Sequence, residues 1–368
     1  MRVVFVLAGL GAGGAEKVVN LLAHHRLAAG DDVHVIALNA TDSTSYFSYD
    51  PRIQVEGLTR TGKNSRHFVT MQRVKDLRRR FAKIRPDMVV SFLTKINVIT
   101  VLATAGTGTP TIISERNNFD VQQMSRFWRW SRPMAAFAAT SVVVMTERAR
   151  ARQPARVRKK TIVIPNPVTP LPRAMPRPDA GRRVVAVGRL DRQKGFDILI
   201  ASFAQVVERV PDAVLTIYGE GPERSALEKQ ISDLGLQEVV RLSGVTQVPG
   251  EWVSPGDVFA LSSRFEGFAN VVLEAMSSGM AVVSVDCPWG PSEIVQDGTT
   301  GLLVPMGSKE ALATAITRVL TDPELRGSFC EAGPPSLDRF STATVLAKWD
   351  ETISQAAGRP PLTVFADA

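Results

Sequence analysis

Short apolar runs alternate with helix-like stretches along the whole chain. VVFVLA (3–8), VHVIAL (33–38), MVVSFL (88–93), TIIS (111–114) and SVVVM (141–145) read as buried strands. Between the first two, VVNLLAHHRLAAG has helical spacing and a stop at Gly30. A second series runs through VVAVG (184–188), VLTIYG (214–219), VVRLSG (239–244), VFALSS (258–263) and AVVSVD (281–286). The six prolines of PNPVTPLPRAMPRPDAG (165–181) remove backbone donors and fix φ, so regular structure is not expected there. Two strand–helix series joined by such a linker predict two doubly wound, Rossmann-like α/β domains facing across a cleft. Function is expected where the carboxyl ends of both sets of strands meet. The expected division is 1–168, 169–340, a helix in 341–357 packing back on the first domain, and a loose tail at 358–368.

Composition narrows the class. At 368 residues, 44% hydrophobic and 22% charged, the chain has the make-up of a soluble two-domain protein. No apolar run approaches the ~18 residues of a membrane span. The opening MRVVFVLAGLGAGGAEK has a short apolar run followed by glycines and Glu16, which reads as a first strand and not as a signal peptide. Cys287 and Cys330 cannot build a disulfide framework or a metal cluster, so they read as ordinary thiols of a cytoplasmic protein. Charge is divided unevenly: residues 1–172 carry 26 Lys+Arg against 11 Asp+Glu, and residues 173–368 carry 18 against 25. A first half so basic calls for an anionic partner or surface.

Candidate chemistry concentrates in RFEGFANVVLEAMSSG. Glu266 falls in a glycine-containing turn and Glu274 on the opening turns of a helix, with Asn270 as expected N-cap and Gly279 as stop. A helix N-terminus attracts phosphate and carboxylates accept from sugar hydroxyls, so the combination points to a nucleotide-sugar site. Spacing alone is weak, since a chain with 17 glutamates holds about one such pair by chance, and Glu220 and Glu228 repeat it. Arg189 and Lys194 flank the loop after the second domain's first strand; they read equally as a diphosphate clamp or as two surface cations.

Other motifs exclude alternatives. Gly9-Leu10-Gly11-Ala12-Gly13-Gly14 fits G-x-G-x-x-G, but the second strand ends in Leu38-Asn39-Ala40 without the acidic residue that would hold a ribose, so no nicotinamide cofactor is expected. No D-x-D, P-loop or G-x-S-x-G occurs. His24, His25, His34 and His67 lack metal-ligand spacing, and the first two read as helix surface.

In order along residues 1–350, GlyGlyAlaGlu (13–16), GlyArg-x4-Lys ending at Lys194, TyrGlyGluGlyPro (218–222), the E-x7-E run (266–274) and ValGlnAspGlyThrThrGlyLeuLeuValPro (295–305) resemble glycosyltransferase family 4, retaining enzymes of the GT-B fold. SerValAspCysProTrpGlyProSerGlu (284–293) is similar to members that extend lipid-linked bacterial surface glycans. The resemblance implies a first domain for the acceptor and a second for a nucleotide-diphosphate sugar, UDP-linked before other nucleotides, with no metal or cofactor. It implies that Arg189 and Lys194 hold the diphosphate, Glu274 the ribose, and Glu266 with the amides of Phe268, Ala269 and Asn270 the donor sugar. Gly244 and Val245 would read the base, with Gly188, Gly219, Gly267 and Val271 completing the donor site; Gly13, Gly14 and Glu16 would serve acceptor and phosphate. Many members carry a histidine after the fourth strand; here Glu115 and Arg116 stand there, and an arginine can stabilise phosphate but not act as base. Retention without an obvious nucleophile implies front-face attack.

VKDLRRRFAKIR (74–85), SRFWRWSRPMAAF (125–137) and RARARQPARVRKK (148–160) interleave cations with apolar residues. They suit an anionic membrane interface, the first equally an ordinary helix packed on a sheet. The expectation is peripheral binding to the inner membrane face, a polyprenyl-diphosphate or other lipid-linked glycan acceptor, and no nucleic acid. The competing readings are a surface-binding protein on a degenerate transferase fold and a sugar-nucleotide epimerase.

Overall fold

The computed structural model describes residues 1–58, 66–169, 171–172, 182–246, 248, 250–254 and 256–360. The centre of the proline-rich linker, the end of the tail and the His67 side chain lie outside the described residues. The chain forms two compact units: residues 1–166 with the segment from Ala343, and residues 167–342.

The first unit is built on a parallel sheet of β1 (Arg2–Leu7), β2 (Asp32–Ala37), β3 (Gln54–Gly57), β4 (Met88–Phe92), β5 (Thr111–Ser114), β6 (Ser141–Val144) and β7 (Thr161–Val163). Spatial order is β3-β2-β1-β4-β5-β6-β7. Its helices are α1 (Gly14–Ala28), α2 (Arg66–Ile84), α3 (Thr94–Thr104), α4 (Arg126–Ala138), α5 (Glu147–Ala151), α6 (Ala155–Arg158) and the last helix, α12 (Thr342–Ala356). Alternate residues of β1 feed opposite layers, as the two-residue period of a strand requires. Val3, Phe5 and Leu7 join α1 and α12 on one face, while Val4 and Val6 join α2 and α3 on the other. Val345, Trp349 and Ile353 seat α12 in the first of these layers.

Charge reinforces that seat. Asp350 of α12 accepts from Arg26 at 2.9 Å and meets His25 at 2.5 Å, and Arg26 also pairs with Asp31. His24 is bonded to Asn20 and stacks on Tyr49. The reading of His24 and His25 as plain helix surface is therefore corrected; both are packing residues.

The second unit holds β8 (Arg183–Val187), β9 (Val214–Tyr218), β10 (Val240–Gly244), β11 (Val258–Leu261), β12 (Ala281–Val285) and β13 (Leu302–Val304), in the order β10-β9-β8-β11-β12-β13. Around it lie α7 (Phe196–Arg209), α8 (Arg224–Asp233), α9 (Asn270–Ser277), α10 (Lys309–Thr321) and α11 (Pro323–Ala332). Ser308 and Asp322 cap α10 and α11 by accepting from Ala311 and Leu325 at 3.1 and 2.9 Å. The strands absent from the sequence reading, β3, β7 and β13, are three or four residues long and lie at or near sheet edges, too short for a periodic signal.

Candidate active site

In the second unit the strand order reverses between β8 and β11, and the loops leaving those two strands border the crevice where doubly wound sheets bind ligands. The loop after β8 carries Gly188, Arg189 and Lys194; the loop after β11 carries Ser263 and Glu266. They meet in one ion pair, Lys194 Nζ to Glu266 Oε1 at 2.8 Å, with side chains 17% and 7% exposed. Ser263 Oγ donates to the same oxygen at 2.7 Å. Among the described residues Oε2 accepts no hydrogen bond, and Lys194 keeps two of its three N–H donors. Arg189 behaves differently: its side chain is 72% exposed and lies 3.9 Å from Asp191.

Glycines stand at the neighbouring strand ends, and at Gly219 no side chain fits. A Cβ on Gly219, whose φ is +149°, would fall 1.8 Å from the carbonyl oxygen of Gly188. A Cβ on Gly188 would meet the Lys194 methylenes at 2.9–3.1 Å, so the missing side chain lets that lysine lie across the loop. Gly219 N–H donates to Gly244 O at 2.7 Å. Gly188, Gly219 and Gly244 thus place bare backbone at the ends of β8, β9 and β10, with the exposed Val245 beyond.

Glu266 is held from a third side by the loop after β12. Its N–H donates to Pro288 O at 3.3 Å, and a Cβ on Gly290 would come 3.1 Å from the Glu266 Cβ. Trp289, buried in that loop, sits at φ 69°, a strained conformation for a bulky side chain. Cys287 lies there too; burial, then the Glu266 charge, push its thiol up to about 12. Phe268 and Ala269 are buried, while Gly267, Asn270, Val271 and Glu274 are half-buried. Ala269 occupies the N-cap position of α9 without a side-chain cap, and Asn270 is its first residue. This corrects the expected Asn270 cap. Glu274 follows one turn later on the same helix.

The first unit has its own reversal, between β1 and β4. Gly13, the N-cap of α1, and Gly14, its first residue, are exposed, and Glu16, its pKa raised by burial, lies against Gly13. Glu115, just after β5, is buried and takes a hydrogen bond from Thr94 Oγ1 at 2.6 Å; burial raises its pKa. Its Oε1 has no partner among the described residues. Arg116 points elsewhere: it donates to Asn166 at 2.6 Å and lies over the rings of Phe92 and Trp349 at 5.1 and 5.6 Å. With 7% exposure it is enclosed by aromatic faces.

The second glutamate pair has a separate explanation. Glu220, in the loop after β9, and Glu228, on α8, both accept from Arg224, at 2.5 and 3.0 Å, on the surface. A cavity of about 450 Å³ bordered by Asp191, Asp197, Glu223 and Arg264 is lined by neither Lys194 nor Glu266. Sequence reasoning missed Ser263 and Thr94; their only signal was a hydroxyl two residues beyond a strand end. Among the described residues no cluster of His, Cys, Asp and Glu could hold a metal, and no helix is long and apolar enough to cross a membrane.

Two family descriptions match the chain in tandem: "Glycosyl transferase 4-like domain" over residues 13–167 and "Glycosyl transferases group 1" over residues 181–322. The chain belongs to these glycosyltransferases, and its fold is GT-B. An exopolysaccharide phosphotransferase of Streptomyces coelicolor is 29% identical over 98% of this chain and 41% of its own length. The lipopolysaccharide core biosynthesis glycosyltransferase LpsE of Rhizobium meliloti is 36% identical over 42% of this chain and 44% of its own. The matched segments therefore span less than half the length of either relative. Anabaena HepE, solved with UDP and glucose, matches the fold with a TM-score of 0.78 at 21% identity, over 96% of this chain and 100% of that one.

Proposed function

We propose that the chain transfers a hexose or N-acetylhexosamine, with retention and without a metal, from a nucleoside-diphosphate sugar to a lipid-linked glycan in surface polysaccharide assembly. The single observation carrying this reading is the Lys194–Glu266–Ser263 contact at the switch point of the second sheet, beside three strand ends that carry glycine, at one of which, Gly219, a Cβ would strike backbone. Bare backbone admits a nucleotide closely, and the two remaining Lys194 donors with Arg189 suit a diphosphate. The family match, the UDP and glucose bound to HepE and the lipopolysaccharide role of LpsE support the same donor and pathway class.

In this reading Lys194 and Arg189 offset charge growing on the departing diphosphate. Glu266 Oε2, with the amides of Phe268, Ala269 and Asn270, orients the sugar. Glu274 accepts from the ribose, and the backbone near Gly244 and Val245 meets the base. Gly13, Gly14, Glu16 and Glu115 serve the acceptor side; Arg116, turned to Asn166 and the rings of Phe92 and Trp349, does not. A carboxylate tied to both a lysine and a serine is a poor nucleophile, which favours front-face attack. The acceptor oxygen bonds to the anomeric carbon as the carbon–phosphate oxygen bond breaks, and the hydroxyl proton passes to the leaving phosphate.

The test is donor turnover across UDP-, GDP- and ADP-sugars, followed by NMR of the first-formed anomer. Turnover of one nucleotide class with an α-donor giving an α-product is expected. No turnover of any donor, or a β-product, would overturn the proposal.

A further inference from the structure

The three basic segments differ in where their apolar side chains go. In α2, Leu77 and Phe81 are buried against the sheet, with Val74 and Ile84 packed beside them. Around α5 and α6, Ala149 and Val157 are buried. In α4, by contrast, four large apolar residues turn outward: Phe127, Trp130, Met134 and Phe137 are 47, 78, 65 and 57% exposed. Their spacing places all four within roughly 80° of one another around the helix axis, at about 100° per residue. On the other side Ala135 and Ala136 are buried and Trp128 packs against the core.

From this we infer that α4 is the element by which the first unit embeds in an anionic phospholipid surface. The inference rests on the proposed lipid-linked acceptor. Charge selects the occupant: α4 carries no acidic residue, and the exposed Arg126 and Arg129 border the stripe on one side. At its far end Lys160 Nζ donates to the carbonyls of Phe137 and Ala139 and lies 5.8 Å from the Phe137 ring, with Arg156, Arg158 and Lys159 exposed nearby on and beside α6. A tryptophan and two phenylalanines rimmed by arginine and lysine suit the headgroup boundary, where the rings enter and the cations meet lipid phosphates. A second copy of this chain would bring the same cations to the same face and be repelled.

Vesicle flotation of the full chain tests this, with phosphatidylcholine alone and with about 30% phosphatidylglycerol, a fraction that gives a strongly negative surface. Wild type should float only with the anionic vesicles. Trp130→Gln with Met134→Gln should weaken binding at least tenfold, leaving melting temperature and soluble-donor turnover unchanged. Brominated lipid should quench a fluorescence component that W130Q lacks. Equal flotation by wild type and double variant would overturn the inference, as would no flotation at all. A dimer in sedimentation equilibrium that the double variant dissolves would make the stripe a self-interface instead. Flotation without donor turnover would sink the proposed function while sparing the docking element; turnover without flotation would do the reverse.

Discussion

Replacing Lys194 by Met keeps the methylene stem that crosses Gly188 and removes only the ammonium. Two unit charges 2.8 Å apart attract by about 6 kcal/mol at an effective dielectric of about 20. Desolvation, several kcal/mol per ion, offsets most of that, so the intact pair contributes little net stability. Removing one end is different, because Glu266 is left 7% exposed with Ser263 as its remaining side-chain donor. Broken buried pairs cost about 3–5 kcal/mol, and the 17% exposure at Lys194 places this one near the lower end, about 3 kcal/mol. For a unit of this size that lowers the melting temperature by roughly 6–12 °C in calorimetry. Lys194→Met with Glu266→Gln should recover most of the stability. Donor turnover should fall by about 10²–10³ in the single variant and stay low in the double. A Lys194→Met protein melting within about 2 °C of wild type would refute the reasoning.

Further outcomes follow from the same contacts. Gly219→Ala should abolish nucleotide binding, read by calorimetric titration, since its Cβ would lie 1.8 Å from Gly188 O. Arg224→Ala should leave donor turnover unchanged, because the arginine's contacts with Glu220, Glu228 and Leu242 O involve neither Lys194 nor Glu266. Cys287, pushed up to about 12, should resist iodoacetamide at pH 8 in the folded protein and react once unfolded, as counted by mass spectrometry. Glu115 has a folded pKa above its unfolded value, so its ionisation opposes folding as pH rises past the usual carboxylate range. Glu115→Gln should therefore melt like wild type near pH 4 and above it at pH 8.

Both sheets were legible because parallel strands buried on two faces leave uninterrupted apolar runs, and TIIS coincides with β5 to the residue. Edge strands of three or four residues leave no such trace. Lys194 and Glu266 stood out as motif members, yet their direct contact was not legible, since 72 residues separate them and only sheet order joins their loops. Identical spacing likewise concealed opposite roles: one glutamate pair flanks the switch point and the other clamps a surface arginine. The outward face of α4 was equally hidden, because composition does not tell which side of an amphipathic helix packs.

The most direct test of the central claim is calorimetric titration of UDP into wild type, Lys194→Met and Gly219→Ala. One saturable site in wild type, weakened in the lysine variant and absent in the glycine variant, is the predicted result. Undiminished UDP binding by Gly219→Ala would contradict a donor site at the strand ends of the second sheet.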